Sequence, residues 1–366
     1  MKYTIGKSFN KVCERAVDEA TQEINKPKLL LFFGQAEKLE EYSKELKKRF
    51  EDSILIGSST FAGFCKDGAF KDGILILAIE DGIECYGNVL EDVDKYPLKY
   101  INRINECVSK FKDTENTICF EISSALKKSE ELVLSTFNSI LKEKGIPLFG
   151  GSSGDRGKAE RTLISFNGEI YENGCAFVIL KNLGGKIRLY RENIYKKTKH
   201  VFIATKVDAR NRTVYEYDDK PAAEVMAQAL NTTIKELPKY LDSYPWGRLI
   251  GNEMYIVANN MIVKNKGISC HARIYKNSKM VLLEPDNYRE VIKNTIENVK
   301  KDIKKPSLSI MVNCLARSIL FESDGYLNEF AKEMSYALGN YVGFAGYGEQ
   351  LGEEHFNQTM VLAVFE

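Results

Sequence analysis

The nine residues Pro147-Leu148-Phe149-Gly150-Gly151-Ser152-Ser153-Gly154-Asp155 decide the fold class. A short apolar run enters a turn of small residues, and its length and continuous apolarity read as a buried strand. Just upstream, residues 130–143 set Leu132, Val133, Thr136, Phe137, Ile140 and Leu141 on one helical face. Ser129 and two glutamates open that helix, while Gly145 and Pro147 close it. Further upstream, Thr117 to Ile122 is apolar and ends in Ser123-Ser124. Strand, helix, strand and glycine turn together form one device.

The device recurs twice. Lys28 to Phe33 is an apolar run ending at Gly34. A helix over about 36–50 turns Leu39, Tyr42, Leu46 and Phe50 inward, and Ser53 to Thr60 is a strand that enters the turn Gly57-Ser58-Ser59-Thr60. Near the C-terminus, Ser307 to Val312 is followed by an amphipathic helix from Tyr326 to Leu338, stopped by Gly339, and by the glycine-rich run Asn340 to Glu349. The spacing is too uneven for a solenoid, which needs a fixed period. The expected fold class is therefore α/β, in two coupled parts built from repeated strand-helix-strand units around mixed sheets. Strands are also expected at Ile74–Ile79, 161–166, 175–180 and Thr359–Phe365, with Asn167-Gly168 as a hairpin turn.

Other stretches are different. Residues 8–25 have helical periodicity through Phe9, Val12, Cys13, Ala16, Val17, Ala20 and Ile24, with Ser8 as the expected N-cap. Val207 to Tyr217 alternates like a hairpin, a helix is expected from Pro221 to about Asn231, and a charged helix over 287–304 turns Val291, Ile292, Ile296, Val299 and Ile303 inward. The expected division is an N-terminal helical segment at 1–27, one part at 28–205 and a second at 206–366.

Composition narrows the function. Lys+Arg is 52 and Asp+Glu 51, so the net charge is +1 and no basic excess points to nucleic acid or an anionic membrane. No apolar run has the length of a membrane span. The eight cysteines include no CxxC pair, and the N-terminus has no secretory apolar core, which leads to the expectation of a reducing, cytoplasmic setting.

Several constellations invite chemistry. The turn 150–155 offers backbone amides, the hydroxyls of Ser152 and Ser153 and the carboxylate of Asp155. It is not a phosphate loop: with Gly157-Lys158 as the Gly-Lys pair, the first glycine would fall on Ser152, and Ala159 stands where Ser or Thr is needed. Asn313 and Arg317 follow a buried strand, at the strand end where open α/β sheets bind ligands, and arginine there can grip a carboxylate. Glu349 and Asn357 flank a loop before the last strand and suit an ammonium or amide group. Cys314 as a nucleophile needs a base, and none of His200, His271 and His355 lies in a catalytic signature. Cys270, His271 and His355 lack zinc-ligand spacing, because adjacent residues on a strand point apart. No catalytic residue, metal ligand or cofactor is expected.

At these residues the sequence resembles the FIST family, named for F-box and intracellular signal transduction proteins. The resemblance rests on Gly57-Ser-Ser-Thr-Phe-Ala-Gly63, on Gly150-Gly-Ser-Ser-Gly-Asp155 with Arg161 and Asn167-Gly168, and on Val214-Tyr-Glu-Tyr217 with Lys220-Pro-Ala222. It continues through Asn313-Cys-Leu-Ala-Arg317, Gly343-Phe-Ala-Gly-Tyr-Gly-Glu349 and Asn357-Gln-Thr359, covering about 28–366 in order. It implies a sensor that binds a small polar molecule, such as an amino acid, and reports to a signalling output. The two FIST parts take up the sequence, so that output is expected from a separate partner protein. One departure is Phe64, where the family's first turn often carries an acidic residue. The expected site comprises Arg317, which holds a carboxylate, Glu349 or Asp155, which holds an ammonium, and Ser152, Ser153, Asn313 and Asn357, which fix orientation. The alternatives are a cysteine- or serine-dependent hydrolase or transferase, and an interaction module without a ligand.

Overall fold

The computed structural model describes residues 1–366 and divides into two compact units. The first comprises Met1–Arg191, Thr295–Glu353 and Met360–Glu366; the second comprises Glu192–Asn294 and Glu354–Thr359.

Three parallel strand pairs organise the first unit. Leu29–Gly34 and Ile54–Ser59 are joined by the helix Ala36–Arg49, and Thr117–Ser123 and Leu148–Ser152 by the helix Glu130–Leu141. Leu308–Cys314 and Tyr341–Gly346 are joined by the helices Leu315–Ser323 and Leu327–Leu338. Parallel strands need a crossover, and burial on both faces explains why each strand reads as an unbroken apolar run. The three devices read from the sequence are thus three copies of one structural unit.

Each copy is completed by antiparallel strands. Ile74–Asp81, Gly174–Asn182 and Thr359–Phe365 return beside the first strand of their pair, and Lys2–Ser8, Ile83–Glu91 and Ile187–Asn193 lie outside them. Between the glycine turn and the returning strand, the chain makes an excursion that pairs with a different copy. Gly63–Cys65 of the first pairs with Tyr341–Gly346 of the third. Ile164–Phe166 of the second pairs with Ile54–Ser59 of the first, and Glu349–Leu351 of the third with Leu148–Ser152 of the second. The exchange closes on itself after three steps.

The glycine turns meet where this exchange closes. Ser59 and Gly154 exchange bonds: the Gly154 amide donates to the Ser59 carbonyl at 2.8 Å, and the Ser59 hydroxyl to the Gly154 carbonyl at 2.6 Å. The Thr60 hydroxyl accepts from the Ala345 amide at 3.0 Å, and the Ser152 amide donates to the Gly348 carbonyl at 2.8 Å. Backbones this close leave no room for side chains. A Cβ on Gly346 would lie 1.7 Å from the Ser152 carbonyl oxygen, and one on Gly154 2.5 Å from that of Ala345.

The N-terminal segment differs from its expectation. Residues 2–8 form a strand that pairs antiparallel with Ile74–Asp81, with a register shift between Lys2 and Tyr3, and the helix spans only Cys13–Thr21. Ser8 bonds Glu19 instead of capping the helix, and Phe9 and Val12, expected inward, are about half exposed. Strand pairing supplied from elsewhere in the chain outweighed local helical periodicity. The expected division into 28–205 and 206–366 is a division by sequence motif and not by compact unit. Residue 205 lies inside the strand Tyr195–Asp208, and the third copy takes its outer strand from before the second unit and the remainder from after it.

The second unit is a sheet in the order Glu253–Val257, Trp246–Ile250, Lys279–Pro285, Tyr195–Asp208, Thr213–Tyr217, Ile268–Cys270 and Asn259–Ile262. The helix Ala222–Ala229 joins its core through Ala223 and Met226, beside Tyr217 and Trp246. Trp246 begins a strand and is fully buried, with its ring 4.5 Å from that of Tyr217.

Candidate functional site

Two loci in the first unit gather most of the expected site residues. The first lies at the carboxyl end of the second copy's parallel pair. Ser123 is in register with Ser152, Glu121 with Gly150, Cys175 with Ser123 and Gln350 with Gly150, so these side chains share the face toward the helix Glu130–Leu141. All are buried. The Ser152 hydroxyl donates to Glu130 Oε1 at 3.2 Å and accepts from Gln350 Nε2 at 3.1 Å. Glu121 Oε2 accepts from the Ser123 hydroxyl at 2.7 Å and from the Cys175 thiol at 3.1 Å. Burial pushes the Glu121 carboxyl up to about 7, the nearby Glu130 adds to this, and the bonds from Ser123 and Cys175 oppose it. Ser153 is buried in the adjoining turn, where its hydroxyl accepts the Ala125 amide at 3.2 Å. Glu349 is in register with Gly151, and alternation turns it to the opposite face of the sheet from Gln350.

The second locus belongs to the third copy. Asn313 Nδ2 donates to the Ser318 hydroxyl at 2.7 Å. Arg317, in the first turn of the helix Leu315–Ser323, is 1% exposed, and its guanidinium carbon lies 5.1 Å from the Phe321 ring centre and 5.6 Å from that of Phe330. The sequence reading set this arginine at a strand end, open to a ligand. It lies instead on a helix face in the core, because the helices Leu315–Ser323 and Leu327–Leu338 close over it.

Asp155 bears on the fold first. Its Oδ1 accepts the amides of Gly157 at 2.8 Å and Lys158 at 3.1 Å and the Tyr347 hydroxyl at 2.6 Å, while Oδ2 accepts the Glu160 amide at 2.9 Å. Burial pulls its pKa upward, but these bonds outweigh burial and hold the carboxyl below the usual range. Its contribution to stability is therefore complete above the unfolded value of about 3.9 and is lost as pH falls through the lower folded value. Melting curves from neutral to acid pH should show wild type well above Asp155→Asn at pH 7, with the gap closing in acid. A gap independent of pH would show that the ionised carboxylate does not fasten this loop.

Asn357 lies in the second unit, where its side-chain oxygen accepts the Ala258 amide at 3.3 Å. In the same unit Arg212 Nη1 donates to the His271 carbonyl at 2.7 Å, and His355 Nε2 lies 3.3 Å from that oxygen. No group of three His, Cys, Asp or Glu side chains is arranged to hold a metal ion. An open cleft of about 800 Å³ is lined by Lys44, Lys47, Glu51 and Glu169 among others and contains none of the expected site residues.

The match to known families follows the same order along the chain. Residues 28–220 match the FIST N domain and residues 222–351 the FIST C domain. The chain belongs to the FIST family. A relative from Methanocaldococcus jannaschii, described as uncharacterised, is 26% identical over 397 aligned positions, covering 95% of this chain and 75% of that protein. The junction between the FIST N and FIST C domains falls inside the second compact unit, so the family's two domains are not its two compact bodies. The sequence reading passed over Glu121, Glu130, Cys175 and Gln350. One signal was available: Glu121 is the only charged residue in the run Thr117–Ser123.

Proposed function

We propose that this FIST protein is a cytoplasmic sensor that binds a small polar metabolite, an amino acid or a similar molecule, and reports occupancy to a separate partner protein without catalysing a reaction. The observation that carries this reading is the buried polar locus of Glu121, Ser123, Glu130, Ser152 and Gln350, at the strand ends and helix N-terminus where α/β sheets take ligands. The family's association with signal transduction supports it. Burial pushes the Cys107 thiol up to about 11 and the Cys270 thiol up to about 12, so neither of these two offers the thiolate a nucleophile needs. No helix is long and apolar enough to cross a membrane.

A thermal-shift screen of amino acids and small carboxylates tests the reading. A ligand that binds only the folded state adds about 2.7 kcal/mol at 100 times its dissociation constant. At least one compound should raise the melting temperature in a saturable way. No stabilising compound, or stoichiometric labelling of Cys314 with loss of a measurable turnover, would sink the proposal.

A further inference from the structure

The three copies differ at corresponding positions. Phe32 stands opposite Gly57 in the first and Met311 opposite Gly343 in the third, whereas Glu121 stands opposite Gly150 in the second. They differ more in the connection from the outer strand to the helix that follows it. That connection is residues 9–12 in the first copy and 92–100 in the second, and in the third it is 194–287, most of the second compact unit. A connection that closes with four residues and also accepts a whole unit sets no length of its own, so the added residues of the second copy are not a demand of the fold.

Those residues hold large apolar side chains in water. Tyr96 is 71% exposed and Leu98 61%, while Pro97 and Tyr100 are buried. Pro97–Tyr100 is a short 3₁₀ turn whose first φ is fixed by the proline ring, and the Arg103 guanidinium carbon lies 4.5 Å from the Tyr100 ring centre. Two buried anchors thus present Tyr96 and Leu98 outward, an ordering that burial of those two side chains does not offset. Leu132 and Thr136 of the helix Glu130–Leu141 form the facing wall, and with Tyr96, Leu98, Lys95 and Lys99 they line an open cleft of about 530 Å³. The two lysines are the only charged residues in its lining, and neither is in an ion pair.

We propose that this cleft docks an acidic segment of a partner protein, which inserts a large apolar side chain between the Tyr96–Leu98 platform and Leu132 and sets its carboxylates against Lys95 and Lys99. Exposed apolar groups rimmed by charge of one sign fit a partner of the opposite sign, and a platform already held in place loses little freedom on binding. Two lysines are fewer than the clusters of about four to eight that hold a protein to an anionic membrane, which favours a protein partner over a lipid surface. The helix that forms the facing wall also carries Glu130, which bonds Ser152 at the buried polar locus. Partner and metabolite would therefore bear on one helix, although the docking surface is argued independently of the sensor reading.

The test uses the full chain and fluorescence anisotropy of a short labelled peptide, a Leu-Leu pair flanked on both sides by glutamates. A second peptide has lysines in place of the glutamates, and a third has serines in place of the leucines. The acidic Leu-Leu peptide alone should saturate wild type. Tyr96→Ser and Leu98→Ser should each raise its dissociation constant about tenfold or more, as loss of an interface anchor does. Lys95→Glu combined with Lys99→Glu should lose the acidic peptide and gain the lysine one. Failure of the acidic peptide to saturate wild type, equal binding by wild type and all variants, or equal binding of acidic and lysine peptides to wild type would overturn the assignment. So would sedimentation of wild type, but not of the double variant, with vesicles of phosphatidylserine and phosphatidylcholine in equal parts, which would make the surface a membrane contact. Circular dichroism checks that the variants fold, and failure of all of them would make these side chains part of the fold and sink the proposal. A stabilising metabolite without peptide binding would remove this surface and keep the sensor reading; peptide binding without any stabilising metabolite would do the reverse.

Discussion

Gly346→Ala is expected to prevent stable folding of the first unit. The added Cβ would sit 1.7 Å from the Ser152 carbonyl oxygen, a backbone atom of another copy. Relief requires separating two strands whose positions are fixed by the cyclic exchange, since Ser152 also bonds Gly348 and Gly154 also bonds Ser59. The destabilisation should be about 4 kcal/mol or more, in the range reserved for severe core disruption. Gly145→Ala supplies the contrast. Gly145 has φ 63 and nothing within 4 Å of a Cβ, so that substitution should cost about 1 kcal/mol through backbone strain alone. Far-UV circular dichroism with urea unfolding compares the two. Trp246 fluorescence would not suffice, because that tryptophan lies in the second unit. If both glycine variants unfolded at the same urea concentration, close approach at the hub would not be what holds the copies together.

Arg317→Ala should be nearly as damaging, at about 3–5 kcal/mol, the usual cost of truncating the largest buried side chains to alanine. The guanidinium is desolvated between Phe321 and Phe330, where a cation above aromatic rings contributes about 2 kcal/mol. Truncation would leave a cavity beneath two helices as well as remove the charge. Arg317→Lys should recover only part of the loss, because an ammonium cannot reproduce the planar guanidinium. Urea midpoints of the three proteins provide the measurement, and a cost under about 1 kcal/mol for Arg317→Ala would mean that the arginine is not integral to the core. Ligand-binding data on Arg317→Ala therefore need a folding control.

The copies were legible because apolar runs, helix stops and glycine turns are local signals, and each lay within a residue or two of its place in the chain. The exchange between copies was not legible. Gly63–Cys65 is three residues long and pairs with a strand nearly 280 residues away, and nothing in three residues specifies so remote a partner. The N-terminal strand was hidden for a related reason: Lys2–Ser8 is polar because only its neighbour Ile74–Asp81, not its own composition, makes it a strand. At the candidate site, Ser152, Asn313 and Arg317 were visible as polar residues at strand ends. Glu121 was masked by the apolar run around it, and it becomes conspicuous only when the fold sets it against Phe32 and Met311.

The cyclic exchange also bears on how such a molecule could be assembled from separate pieces. Each copy donates a short strand to one neighbour and receives one from the other, which is a heterologous contact that closes after three steps. A polypeptide holding one copy would have an unpaired strand edge and an excursion with nothing to join, so it should not be stable alone. Three such polypeptides would satisfy each other by the same exchange and close as a trimer. The present chain accomplishes that closure by covalent linkage, which frees each copy to diverge. One copy can hold a buried carboxylate while the other two keep hydrophobic side chains at the same position.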